Sequence, residues 1–292
     1  MNVAIIGVGL IGGSFALALR HGHKDLRLIG VDRDAASLDD ALRSGVVDES
    51  ASAAAVVDCE AVLIAVPVRQ FPAVLAEISP WLKPGTVVTD AGSTKQDVIA
   101  SARSAMGTKV SQFVPGHPIA GREHSGVAAA ASELFEGKHV VLTPIAENSA
   151  QSIDRVRSLW RACGARVVEM PAETHDAIFA AVSHLPHLIA FALVDEFSAR
   201  PNAKALFSFA ASGFRDFTRI AGSNPEMWRD IALNNRAALL GELSAFETRI
   251  SELKKALDAG DGPAMEGMMA RAKSARDRWM AGELDEFRNE AT

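Results

Sequence analysis

Apolar residues follow two different rhythms along the chain. In the first part, short runs rich in Val, Ile and Leu recur at Val3–Ile6, Arg27–Val31, Ala61–Val66, Thr86–Thr89, Lys109–Val114 and His139–Thr143. Their length and β-branched content predict strands buried on both faces. Helix-like stretches lie between most of them, at Gly13–Arg20, Ala35–Ser44, Phe71–Leu82 and Lys95–Met106, with Gly85 and Gly107 marking helix-to-strand turns. Strand and helix in alternation imply right-handed crossovers and a mostly parallel sheet covered by helices. A last helix over Ala150–Cys163 and a strand over Ala165–Met170 complete this α/β part.

After Pro171 the rhythm changes. Ile178, Ala181, Val182, Leu185, Leu188, Ile189, Ala192 and Leu193 fall at helical spacing, and β-type runs disappear. Two domains are therefore expected, α/β over 1–171 and all-helical over 172–292.

Composition narrows the function classes. A net charge of −6, with 48% hydrophobic and 23% charged residues, provides no uniform basic field for nucleic acid. The two cysteines, Cys59 and Cys163, lie far apart in sequence and support neither a disulfide framework nor a zinc cluster, which fits a reducing cytoplasm. The apolar stretch from Val3 to Leu19 has no basic leading region and is interrupted by glycines. It reads as the first strand and helix of the fold, so no membrane association is expected.

Gly7-Val-Gly9-Leu10-Ile11-Gly12 follows the first strand directly and opens a helix, the context that a dinucleotide fingerprint requires. Gly7 permits the tight turn, Gly9 lets the backbone approach a pyrophosphate, and Gly12 lets helix and strand pack closely. Asp32 ends the second strand twenty positions past Gly12, where a carboxylate accepts hydrogen bonds from the adenine ribose. This predicts a Rossmann-type domain binding NAD. Arg33, next in sequence, leaves NADP disfavoured and not excluded. Val66 and Pro67 end a strand whose carboxyl end faces the ligand crevice, so they either wall the cofactor or simply stop the strand.

Two further strand ends carry polar groups toward the same crevice: Asp90-Ala-Gly92-Ser93-Thr94-Lys95 and Pro115-Gly116-His117-Pro118-Ile119-Ala120-Gly121. Ser93 either caps the helix beginning near Thr94 or serves a ligand. His117, held between Gly and Pro in a strand-end loop, has no helix face or core to fill and reads as chemical.

Gly116-His117-Pro-Ile-Ala-Gly121 with Ser125-Gly126 resembles the signature loop of the prephenate dehydrogenase family. Ser183-His184-Leu-Pro-His187, Gly213-Phe-Arg215-Asp-Phe-Thr-Arg219-Ile and Pro225-Glu-Met-Trp228-Arg-Asp230 are similar to further segments of that family, in order and spacing. The resemblance spans essentially the whole chain. It implies a homodimer joined through the helical domain, with His117 as catalytic histidine and Ser93 beside it at the substrate hydroxyl. It further implies Arg219 on a substrate carboxylate and His187 near the substrate. The expected reaction is NAD-dependent oxidative decarboxylation of prephenate to 4-hydroxyphenylpyruvate, with arogenate as a second substrate. The chemistry needs no metal; His184 and His187 have a spacing that could hold one but lack a third ligand nearby.

Arg215 lies one helical turn before Arg219 and belongs either to the substrate site or to a solvated face. Trp228 is either core or a pocket wall, and Glu123, just after the signature loop, is a candidate contact for the substrate side chain. Two rivals remain on sequence alone. One is another dehydrogenase of Rossmann-plus-helical build acting on a β-hydroxy acid, which would be expected to use a helical-domain lysine. The other is a non-catalytic NAD sensor, which would need neither His117 nor Arg219.

Overall fold

The computed structural model describes residues 1–22, 25–122 and 124–287. Its α/β part opens with β1 (Asn2–Ile6), α1 (Leu10–Gly22), β2 (Arg27–Val31), α2 (Ala35–Arg43) and β3 (Glu49–Ser50). β4 (Ala61–Ile64), α3 (Phe71–Ile78), β5 (Val87–Asp90), α4 (Gln96–Met106) and β6 (Phe113–Val114) follow. The six strands form one sheet in the order β3-β2-β1-β4-β5-β6, with every neighbouring pair parallel. Strand order reverses between β1 and β4, which opens a ligand crevice beyond their carboxyl ends.

Strand alternation explains why β1 is apolar throughout. Val3 and Ile5 join the core containing Phe15, Leu19 and Trp160, whereas Ala4 and Ile6 join the opposite core containing Phe71, Leu75 and Phe113. Both faces of the sheet are therefore covered, as the uninterrupted apolar runs require.

A second sheet was not legible in the pattern. β7 (Gly116–Pro118), β8 (His139–Leu142) and β9 (Arg166–Glu169) form it in the order β7-β8-β9, with α5 (Ala150–Ala162) between β8 and β9. β7 runs antiparallel to β8, and β8 parallel to β9. His117 is thus on a strand opposite Val141, not in a loop. Gly-His-Pro reads as a turn because Pro118 cannot donate to a ladder, but an edge strand such as β7 tolerates it. The run Lys109–Val114 likewise keeps only Phe113–Val114 as strand, since Gly107–Gln112 winds into a 3-10 turn.

Every element described after β9 is helical. α6 (Ala172–Phe179), a π turn (Ala180–His184) and α7 (Leu185–Ser198) make one continuous helix. Pro186 lacks the N–H that an α-helical bond to the Val182 carbonyl would need, and the π turn absorbs that defect. This 27-residue helix is long and apolar enough to cross a bilayer. It nevertheless carries His175, Asp176 and His184, all buried. α8 (Ala203–Ser208), α9 (Ser212–Thr218), α10 (Pro225–Asn234), α11 (Arg236–Asp258) and α12 (Gly262–Met280) complete the chain. Its two compact units are Met1–Arg236 and Ala237–Thr292. The first contains both sheets and the helices through α10. In the second, α12 is capped by Asp261, whose carboxylate accepts the Ala264 N–H at 2.9 Å.

Candidate active site

The glycine turn has the shape that a dinucleotide needs. Gly7 has φ +93° and donates its N–H to the Val31 carbonyl at 2.8 Å. A side chain there would strike the Ala65 carbonyl, and one on Gly12 would strike the carbonyl of Gly7. A side chain on Gly9 would meet nothing within 4 Å, so the space in front of α1 is open. Leu10 and Ile11 begin α1 and pack against the core. The helix therefore starts earlier than the expected Gly13.

The Asp32 carboxylate accepts the Val8 N–H at 3.0 Å and the Asp34 N–H at 3.0 Å, which holds it at the rim of the turn. Arg33 is exposed. Val66 lies over Gly7, and Pro67 is exposed ahead of a 3-10 turn at Val68–Gln70. The strand itself ends at Ile64. These groups fit NAD: Gly7, Gly9 and Gly12 with the α1 N-terminus would hold its pyrophosphate, and Asp32 its adenine ribose.

The neighbouring strand ends are tied together by a buried ion pair. Lys95 Nζ meets Asp90 Oδ2 at 2.5 Å and donates to the Gly116 carbonyl at 2.6 Å, with both charged side chains fully buried. Asp90 also accepts the N–H groups of Gly92 at 2.8 Å and Gly116 at 2.9 Å. Both backbone polar groups of Gly116 are therefore held, and the next residue, His117, is aimed by them.

His117 Nδ1 lies 2.8 Å from Nε2 of His175, and its ring meets Phe179 edge-on with centroids 4.9 Å apart. Nδ1 of His175 lies 2.8 Å from Oδ1 of Asp176. The Asp176 carboxylate in turn accepts the N–H groups of Lys95 at 2.9 Å and Gln96 at 3.0 Å. The N-terminus of α4 is thus capped from α6, so the helix starts at Gln96 and the half-buried Ser93 is not its cap.

Burial pushes His117 well below the ordinary histidine range, and the nearby His175, Lys95 and His184 push the same way. Burial also lowers His175, against the pull of Asp176. Burial acts to raise Asp176, but hydrogen bonds from His175, Gln96 and Lys95 outweigh it and keep the carboxyl below its usual range. His175, Asp176, Asp90 and Lys95 are the site groups that the pattern of apolar residues did not single out. Their only signal was local: Asp90 and Lys95 bracket the loop carrying Ser93, and His175 and Phe179 sit one helical turn apart.

The helical wall is contributed by α7, α9 and α10. His187 stacks on Trp228 with ring centroids 3.5 Å apart, while its Nδ1 lies 2.8 Å from the Ser183 carbonyl in the π turn. Burial lowers the pKa of His187, the Ser183 carbonyl opposes this, and the nearby Arg219 charge lowers it further. Arg219 stands exposed just past α9, and Arg215 is exposed within that helix. Trp228 is buried, and its indole N–H has no partner among the described residues. Glu123 lies outside the described residues. No group of three or more His, Cys, Asp or Glu among the described residues is placed to hold a metal.

His184 is buried between Asn235, 3.1 Å from its Nδ1, and the edge of Trp228. Burial pushes its pKa down to about 4. The unfolded chain would take up a proton here as pH falls below about 6.5, while the folded chain resists until about 4. Stability is therefore expected to fall across that window, by about 3 kcal/mol from this group. Urea unfolding of the wild type and His184→Gln at intermediate pH values checks this, since the slope should flatten in the variant.

A doubly wound sheet with a glycine turn, a carboxylate at the rim of that turn and a part-buried imidazole on the neighbouring strand β7 defines an NAD-dependent oxidoreductase of Rossmann type. Residues 15–169 match the family model described as "Prephenate dehydrogenase, nucleotide-binding domain", and residues 171–271 match "Prephenate dehydrogenase, dimerization domain". The chain is 37% identical over 280 residues to the prephenate dehydrogenase of Bacillus subtilis, covering 94% of this chain and 75% of that one. It is also 37% identical over 267 residues to the cyclohexadienyl dehydrogenase of Zymomonas mobilis, covering 89% and 90%. The crystal structure of prephenate dehydrogenase from A. aeolicus in complex with hydroxyphenyl propionate and NAD+ superposes with a TM-score of 0.89 at 37% identity, covering 95% of this chain and 98% of that one. The chain belongs to the prephenate dehydrogenase family.

Proposed function

We propose that this protein oxidises and decarboxylates prephenate to 4-hydroxyphenylpyruvate in tyrosine biosynthesis, with arogenate as a second substrate. The observation that carries the proposal is the placement of His117, a histidine kept neutral by burial, in a chain that belongs to this family throughout its length. His117 accepts the proton of the ring hydroxyl, which lets electron density flow toward the forming carbonyl. Ser93 assists at that hydroxyl. Bound NAD supplies the acceptor for the hydride leaving the same carbon. The opposite ring carbon loses its carboxylate as carbon dioxide, and the ring becomes aromatic.

Arg219 grips a substrate carboxylate, for which a permanently charged, two-pronged guanidinium is suited. Arg215 adds positive charge nearby. His187 and Trp228 wall the substrate, and Glu123, which lies outside the described residues, is the proposed contact for its side chain. NAD is preferred over NADP because Asp32 would repel a 2′-phosphate, while Leu10, Ile11, Arg33, Val66 and Pro67 border the cofactor. In this reading 1–171 serves as the cofactor domain and 172–292 as the substrate and dimerisation domain. A cytoplasmic homodimer follows, supported by the matching dimerization model and by exposed apolar side chains such as Val182 and Phe209.

The test is an assay of the purified protein with prephenate and with arogenate, each with NAD and with NADP. NADH and carbon dioxide should form together fastest with prephenate and NAD. NAD binding without turnover of either substrate would overturn the proposal.

A further inference from the structure

We propose that Asp176 and His175 act as positioning residues that select one tautomer of His117, with the hydrogen on Nδ1 and the lone pair on Nε2. This inference rests on the reading of His117 as the acceptor of the substrate proton.

The assignment follows from donor and acceptor bookkeeping along one line of contacts. Asp176 faces three donors: the N–H groups of Lys95 and Gln96, and Nδ1 of His175. A carboxylate surrounded in this way is ionised and can only accept. The hydrogen of neutral His175 is therefore on Nδ1, and its Nε2 carries a lone pair. That lone pair faces Nδ1 of His117 at 2.8 Å, so His117 must donate from Nδ1. Its own lone pair is left on Nε2, the only ring atom still able to take a proton.

The chain of contacts has a second consequence. When His117 becomes an imidazolium, its Nδ1–H already points at an acceptor backed by a negative charge. The arrangement is built rigidly, because Asp176 caps α4 while Lys95 and Asp90 hold Gly116 from the other side. His175 and Asp176 touch neither substrate nor hydride in this scheme, and act only through His117.

Asp176→Ala gives a discriminating test, because it removes the acceptor that fixes the hydrogen of His175 on Nδ1. His175 can then carry its hydrogen on either nitrogen and either accept from His117 or donate to it, so neither tautomer is selected. Long-range proton–nitrogen spectra of histidine-labelled protein without substrate should show Nδ1–H on both rings in the wild type and a mixture with Nε2–H in the variant. kcat with prephenate should fall by about 10²–10⁴-fold. KM and NAD affinity should stay within about threefold, as for a loss confined to the transition state.

Because Asp176 also caps α4, a second pair of variants guards against misfolding. His175→Gln can still accept from His117 Nδ1 and should keep kcat at least about tenfold above His175→Leu, which cannot. Wild-type His117 carrying its hydrogen on Nε2, an unchanged kcat in Asp176→Ala, or equal rates in the Gln and Leu variants would each overturn the inference. The spectra need no substrate, so a wild type inert toward prephenate would sink the proposed function and leave the tautomer result standing.

Discussion

His117→Asn is expected to lower kcat with prephenate by about 10²–10⁴-fold, the usual contribution of a positioned general base. Asparagine keeps polarity and approximate size at β7 but has no nitrogen that can take a proton. The ring of His117 meets His175 and Phe179, away from the glycine turn, α1 and Asp32, so NAD affinity should hold. Isothermal titration with NAD beside steady-state kinetics separates the two outcomes, and an equal loss of both would show that the role is misassigned. The pH profile carries the same signature. Burial depresses His117 well below 6.5, with His175, Lys95 and His184 adding to the effect, so the neutral form persists into mild acid. Activity should fall only as pH drops through that lowered value, on the acid side of an ordinary histidine. An acid limb at unshifted histidine pKa would contradict the burial argument.

Lys95→Met is expected to cost about 3–5 kcal/mol of stability, because removing one partner of a buried ion pair strands the other charge. Asp90 would keep its two bonds from Gly92 and Gly116 but lose its countercharge, and the Gly116 carbonyl would lose its donor. The damage should concentrate where β5, the loop to α4 and the start of β7 meet. Urea unfolding measures the total, and a loss below about 1 kcal/mol would show that the pair is not the clamp described here. Residual folded enzyme should also turn over slowly, since Gly116 aims His117.

β1, β2, β4, β5, β8 and β9 and the helices between them could be read from apolar rhythm because each depends on neighbours within one strand or one turn, whereas after Pro171 the rhythm gave helix without the separate bounds of α8 to α12. The glycine turn was legible for the same reason. Gly7, Gly9, Gly12 and Asp32 belong to one strand, turn, helix and strand, and the geometry that each glycine permits is local. The π turn gave only a faint signal, a proline inside an apolar helix. The second sheet gave less, since β7 is three residues long and contains a proline.

The site around His117 was beyond local reading for a physical reason. His117 and His175 are 58 positions apart, and the bonds from Asp176 to α4 span 80 and 81. A hydrogen bond between such residues depends on where two separate elements pack, and no periodicity along the chain encodes it. Ser93 illustrates the difference: its neighbours suggest a helix cap, but the cap arrives from α6 and leaves Ser93 outside that role. Residue order alone determined the α/β and helical parts, the dinucleotide turn and the candidate histidine. Tertiary packing decided which groups surround that histidine, which backbone it hangs from and which of its nitrogens is already engaged, because burial and long-range hydrogen bonds exist only once the elements have met.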